Sequence, residues 1–162
     1  MPKNHETVAL LAFTSDPIRA EQTLKKLLEQ TKSFCSIMSV SSVYKSDSRQ
    51  QTNQRSELVM VAKVRTTLSQ RELSLNISNV KTVEGGVTSQ AILLSLNREI
   101  LMTPGLTLPD PRLVQDRLIL QCAAEVWGQY EHPILGQTLT ELVKLYPARD
   151  PVEFFSQGTY LY

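Results

Sequence analysis

The sequence is poor in the residues that most chemistries depend on. Its 162 residues include two cysteines and two histidines, and neither Cys35 nor Cys122 belongs to a CxxC pair or a Cys/His spacing that would build a zinc site. Cys35 falls in a predicted strand and Cys122 in a predicted helix, so both read as buried thiols rather than a disulfide. So few histidines leave no convincing Ser/His/Asp or metal cluster, and His132, preceding Pro133 in a turn, reads as structural. Charge of one sign is also missing. Seventeen Lys and Arg against sixteen Asp and Glu leave +1, which gives no field to gather nucleic acid or an anionic membrane, so partners must be recognised locally. The longest apolar run near the start, residues 8–13, is too short for a signal-peptide core or a spanning helix. A cytoplasmic protein with neither a nucleic-acid nor a membrane partner is the expectation.

What is present is ordinary globular composition, 41% hydrophobic and 20% charged, at a length that predicts one domain over residues 1–162. Residues 7–13 are apolar on both faces, as in a central strand. Ser15, Asp16 and Pro17 then supply a cap and an N-terminal proline for a helix to about Lys32, with Leu24, Leu27 and Leu28 as its stripe. The run from Phe34 through Val43 to Tyr44 predicts a second strand, followed by a polar loop over 45–56. Residues 58–64 predict a third strand. Ser69 and Glu72 form a capping box for a second helix, carried through Leu73, Ile77 and Val80 and stopped at Gly85 and Gly86. Residues 91–96 and 99–102 predict two short strands, and 103–111, with three prolines and a glycine, an irregular connector. A helix over 113–127 and a last one over 138–145, capped by Thr138 with Glu141, complete the chain before an aromatic tail over 146–162. The order strand, helix, strand, strand, helix, strand predicts an α+β, ferredoxin-like βαββαβ antiparallel sheet covered by helices, with a C-terminal helical extension.

Three segments, in order, resemble the 6-hydroxymethyl-7,8-dihydropterin pyrophosphokinases of folate biosynthesis. Ser42, Val43, Tyr44, Lys45 and Ser46 look like the family's S-x-Y-[RK]-[TS]. Residues 103–109 resemble a stretch that in the family reads close to T-P-R-L-T-[IV]-P-H. Residues 132–142, with His132, Pro133, Leu135, Gly136, Thr138, Leu139, Glu141 and Leu142, look like H-P-x-L-G-x-T-[LI]-x-E-L. The resemblance implies transfer of a pyrophosphoryl group from ATP to a pterin alcohol, with Mg²⁺.

Transfer of that kind needs metal-held phosphates, so carboxylates must sit near ATP. The family's D-x-D at the start of strand four falls here on Thr88 to Ile92, where Gln90 stands and no carboxylate lies between Gly86 and Asn97. Gly86 and Gly105 stand where the family has arginines, Asp110 where it has His and Asp116 where it has another Arg, while Thr107 remains in the matched stretch. On the pterin side Glu57 and Val59 replace an aromatic residue and an Asn, Leu118 replaces a stacking Phe, and Thr14, Ser15, Asp16 replace Gly-Ser-Asn.

The resemblance therefore implies substrate-pocket remnants at Ser46, Asp47, Glu57, Val59 and Leu118. Nucleotide-pocket remnants fall at Gly86, Gln90, Thr107, Asp110 and Asp116, with no catalytic residue and no metal site. Asp110 and Asp116 also read as helix caps, and Glu57 as a strand-end glutamate. The expectation is a divergent homologue, catalytically impaired, without cofactor, acting as a binding or interaction module. The alternatives are a still-active ATP- and Mg²⁺-dependent pyrophosphotransferase and an unrelated ferredoxin-like interaction module. Phe154, Phe155, Tyr160, Leu161 and Tyr162 make the tail unusually aromatic for a chain with 6% aromatics, which suits packing on its own domain and also a protein partner or self-association.

Overall fold

The computed structural model describes residues 6–45, 57–84, 86–145 and 153–158. Strand β1 (Thr7–Ser15) runs through the middle of the sheet, antiparallel to β4 (Leu58–Thr66) on one side and to β6 (Val87–Leu96) on the other. Outside β4 lie β2 (Ser36–Val40) and β3 (Val43–Lys45). The order β6, β1, β4, then β2 and β3 is the split βαβ pattern expected from the sequence, all neighbours antiparallel. The two halves of the second predicted strand part at Ser41 and Ser42. There the Ser41 amide donates to the Val61 carbonyl (2.8 Å) while the Val61 amide donates to Ser41 Oγ (2.9 Å), so a side chain replaces a ladder bond.

Both faces of β1 are buried. Ala9, Leu11 and Phe13 pack with Leu24, Leu27 and Leu28 of α1 (Ala20–Lys32) and with Leu73 and Ile77 of α2 (Gln70–Ser78). Leu10 and Ala12 face the other way, onto α3 (Arg112–Gln115), α4 (Arg117–Trp127) and α5 (Leu139–Leu145), meeting Leu113, Ile119, Leu120, Cys122 and Leu142. A strand covered on two sides must be apolar throughout, which is why residues 7–13 show no alternation.

Several boundaries differ from the sequence expectation. Helix α1 starts after Arg19 in a left-handed conformation (φ 57°), without a side-chain cap. Asp16 instead closes a turn, its Oδ1 accepting from the Ile18 amide at 2.8 Å. Helix α2 ends at Ser78, and residues expected to prolong it form β5 (Lys81–Glu84), paired with β6. The strand expected over 99–102 is realised as β7 (Leu101–Thr103), and it pairs with β8 (Leu106–Leu108), which lies in the stretch expected to be irregular. Asp116 divides the predicted helix over 113–127 into α3 and α4. Finally, the tail contributes β9 (Glu153–Ser156), added to the outer edge of β3.

Candidate functional site

The strand registers lay a row of side chains across one end of the sheet. Tyr44 of β3 pairs with Val59 of β4, Val59 with Thr14 of β1, and Thr14 with Gln90 of β6. Directly paired residues point to the same face, and this face is the one under α4, since Val59 packs with Ile119, Leu120 and Cys122. Helix α4 roofs the row. Cys122 Sγ lies 3.8 Å from the Val59 carbonyl and 3.9 Å from that of Ser42, and Tyr44 Oη donates to Glu125 Oε1 at 3.2 Å. Burial pushes the Cys122 thiol up to about 12, so it is packing rather than a nucleophile. Tyr44 is also raised, first by lost hydration and then by the Glu125 charge.

At the open end of the row stand Glu57 and Asp116. Glu57 is an exposed residue, yet its carboxyl is raised above the ordinary glutamate value, chiefly because packing strips water from it. A hydrogen bond from Thr14 opposes the rise and the Asp116 charge adds to it. Asp116 caps α4, Oδ1 accepting from the amides of Leu118 (3.0 Å) and Ile119 (3.2 Å). Asp110 accepts from the Arg112 amide (2.9 Å) and grips its guanidinium through Nε (3.0 Å) and Nη2 (2.8 Å), so that cation is already paired.

The fold thus gathers Glu57, Val59, Gln90, Asp116 and Leu118 around one sheet end. Val59 is 3% exposed and Leu118 packs half-buried against the same cluster, so both belong to the core. Gly86 sits in the β5–β6 turn with φ 79°, a conformation glycine adopts without cost, and Thr107 lies opposite Met102 in the β7–β8 hairpin. Neither belongs to the row. Ser46 and Asp47 lie outside the described residues. The Tyr44–Glu125 contact escaped the sequence reading because it joins positions far apart in the chain; the placement of Tyr44 at a strand end was its only signal. Among the described residues no helix is long and apolar enough to cross a membrane, which says nothing of strands.

No protein-family model matches the sequence, and no curated protein matches it. Solved structures do. The wild-type HPPK-DHPS of Plasmodium falciparum with pterin and p-hydroxybenzoate is similar at TM-score 0.72 and 11% identity, over 90% of this chain and 42% of that chain. The same protein with pteroate gives 0.72 and 12%, over 90% and 43%, and with SDX-DHP 0.71 and 12%, over 88% and 44%. The chain spans less than half the length of these chains. The likeness is one of fold: an antiparallel sheet flanked by helices, as in the HPPK part of these chains.

Proposed function

We propose that this HPPK-like domain no longer transfers pyrophosphate and serves as a binding or interaction module. The observation that carries this reading is the make-up of the sheet end. Across the row stand a phenol, an isopropyl group, a hydroxyl and an amide, from Tyr44, Val59, Thr14 and Gln90. Magnesium is a hard cation that is bound through carboxylates and phosphate oxygens, and hydroxyls and amides are weak substitutes. Among the described residues no three His, Cys, Asp or Glu side chains come together closely enough to hold a metal. Asp116 is engaged at the α4 N-terminus and Asp110 on Arg112. A triphosphate brought here would meet Glu57 and Asp116, at about 1 kcal/mol per close charge pair in water and more where water is excluded. The donor set therefore does not fit an ATP·Mg²⁺ complex.

The fold itself favours a second reading, an active ATP:6-hydroxymethyl-7,8-dihydropterin pyrophosphotransferase whose nucleotide is held by residues beyond this row. Calorimetric titration with Mg²⁺ and a non-hydrolysable ATP analogue, with and without a pterin, separates the two. The module reading expects no metal-dependent heat at millimolar nucleotide. Tight, metal-dependent binding would overturn it in favour of the second. The partner face assigned to the module is the β9 edge, where Phe154 is 55% exposed and meets Tyr44 edge to face with ring centroids 6.0 Å apart.

A further inference from the structure

The turn that joins Tyr130 to α5 is built around one nitrogen of His132. Its outer rungs are backbone contacts: Glu131 bridges Thr138, the Leu139 amide donates to the Tyr130 carbonyl (3.0 Å), the His132 amide to the Gln137 carbonyl (2.8 Å) and the Gly136 amide to the His132 carbonyl (2.8 Å). Gly136 takes the left-handed conformation (φ 67°) that lets the chain fold back. Inside the turn Pro133 has no N–H to offer, and the next two amides, of Ile134 (3.3 Å) and Leu135 (3.2 Å), both donate to His132 Nδ1. The Ile134 and Leu135 side chains are 52% and 47% exposed, so hydrogen bonds more than burial hold this apolar tip in place.

An imidazole nitrogen that accepts from amides is unprotonated, and the neutral ring then carries its proton on Nε2. A proton on Nδ1 would turn that acceptor into a donor aimed at two other donors. Both bonds would be lost together, and a buried ring would carry charge. The charged groups around the turn do not offset this cost. Glu131 is paired with Arg98 at 3.6 Å, α5 contributes Glu141 and Lys144, and burial alone accounts for the downward shift of His132.

We propose that His132 is a proton-operated latch: with Nδ1 bare it holds the turn over residues 132–137 closed, and it takes up a proton only as the turn opens. The opening is local, because Leu139 and Leu142 keep α5 anchored in the core under α4. Release alters two surfaces. One is the apolar tip at Ile134 and Leu135, and the other is the Glu131 side of a cleft of about 300 Å³ that Asn97 and Trp127 also line. The fold thus ties the shape of this corner to pH.

If the closed turn excludes the proton, the opening constant is flat above pH 6.5, the ordinary value that the ring regains once open, and rises about tenfold for each pH unit below it. Amide exchange of the full chain, followed by NMR as a function of pH, reads this residue by residue. Intrinsic exchange slows as hydroxide is withdrawn, so amides that open locally elsewhere, such as those of α2, should slow throughout. Those of Ile134 and Leu135 should exchange faster than the core of β1, slow until pH 6.5 and then level off, as more frequent opening offsets the slower chemistry. His132→Gln, whose side-chain oxygen accepts without titrating, should abolish the levelling, and Glu131→Gln should keep it. The imidazole nitrogen resonances of the parent protein supply a check that needs no variant: the ring should titrate together with the opening and below 6.5. Several results would overturn the proposal: the two amides slowing in step with α2 or exchanging only with β1, levelling that survives in His132→Gln or vanishes in Glu131→Gln, or a ring that protonates while both amides stay protected.

Discussion

His132 and Glu57 are both shifted by lost hydration, with opposite consequences for stability. His132 is 5% exposed, and its Nδ1 accepts from the amides of Ile134 (3.3 Å) and Leu135 (3.2 Å), which only an unprotonated Nδ1 can do. Burial lowers its pKa below 6.5. As pH falls the unfolded chain takes up the proton first, so the contribution of His132 is complete above 6.5 and is lost as pH drops through the lowered folded value. Urea unfolding should show stability falling over that interval, with a shallower fall in His132→Gln. Replacement by Ala should cost about 1 kcal/mol at neutral pH through the two freed amides. Glu57 behaves in the reverse sense. Its raised value means that the folded state keeps its proton longer, so its contribution is complete below 4.5 and declines as pH rises through the folded pKa. Glu57→Gln should therefore raise the thermal midpoint at neutral pH and leave it unchanged at about pH 4. A midpoint that fell at neutral pH would show the carboxylate to be favourably bound instead.

At the scale of elements, the capping boxes were legible, while the cap expected for α1 and the strand pairings were not. The Ser69–Glu72 box is realised in full, Glu72's amide donating to Ser69 Oγ (3.2 Å) and Ser69's amide to Glu72 Oε2 (3.1 Å), because it needs only residues three apart. Thr138 likewise accepts from the Glu141 amide at 3.2 Å. Asp116→Ala should cost about 1 kcal/mol by uncapping α4, read as a lower thermal midpoint. By contrast, Val80 fits the helical spacing of Leu73 and Ile77, yet the chain leaves the helix there because residues 81–84 gain ladder bonds with 87–90 at the sheet edge. Local spacing carried no record of that partner. The strand β8, and with it the β7–β8 pairing, was missed for a related reason. Prolines normally break strands, but Pro104 and Gly105 sit in its turn and Pro109 just beyond it, where no ladder donor is required.

At the scale of the whole molecule, an outer strand presents unpaired backbone groups unless something covers it. β9 shields β3, and its end is seated closely: a Cβ at Gly158 would run into the Ser41 carbonyl oxygen. Phe154, on the sheet face it shares with Tyr44, remains exposed beside that edge. If that edge serves as the module's contact with a second copy, sedimentation should show concentration-dependent association in the parent protein and its loss in Phe154→Asp. A monomer at every concentration would refute self-association.

The sequence by itself determined the order of the main elements, the two-faced burial of β1, the caps at Ser69 and Thr138 and the absence of carboxylates over residues 87–96. Each of these depends on neighbours within a few positions or on composition. Only the tertiary structure decided that Tyr44, Val59, Thr14 and Gln90 form one row, that the Asp116 charge acts on Glu57, and that Asn97 and Trp127 line one cleft. Those relations arise from strand register and from helix packing across the sheet, which bring together residues tens of positions apart and leave no periodic trace in the chain.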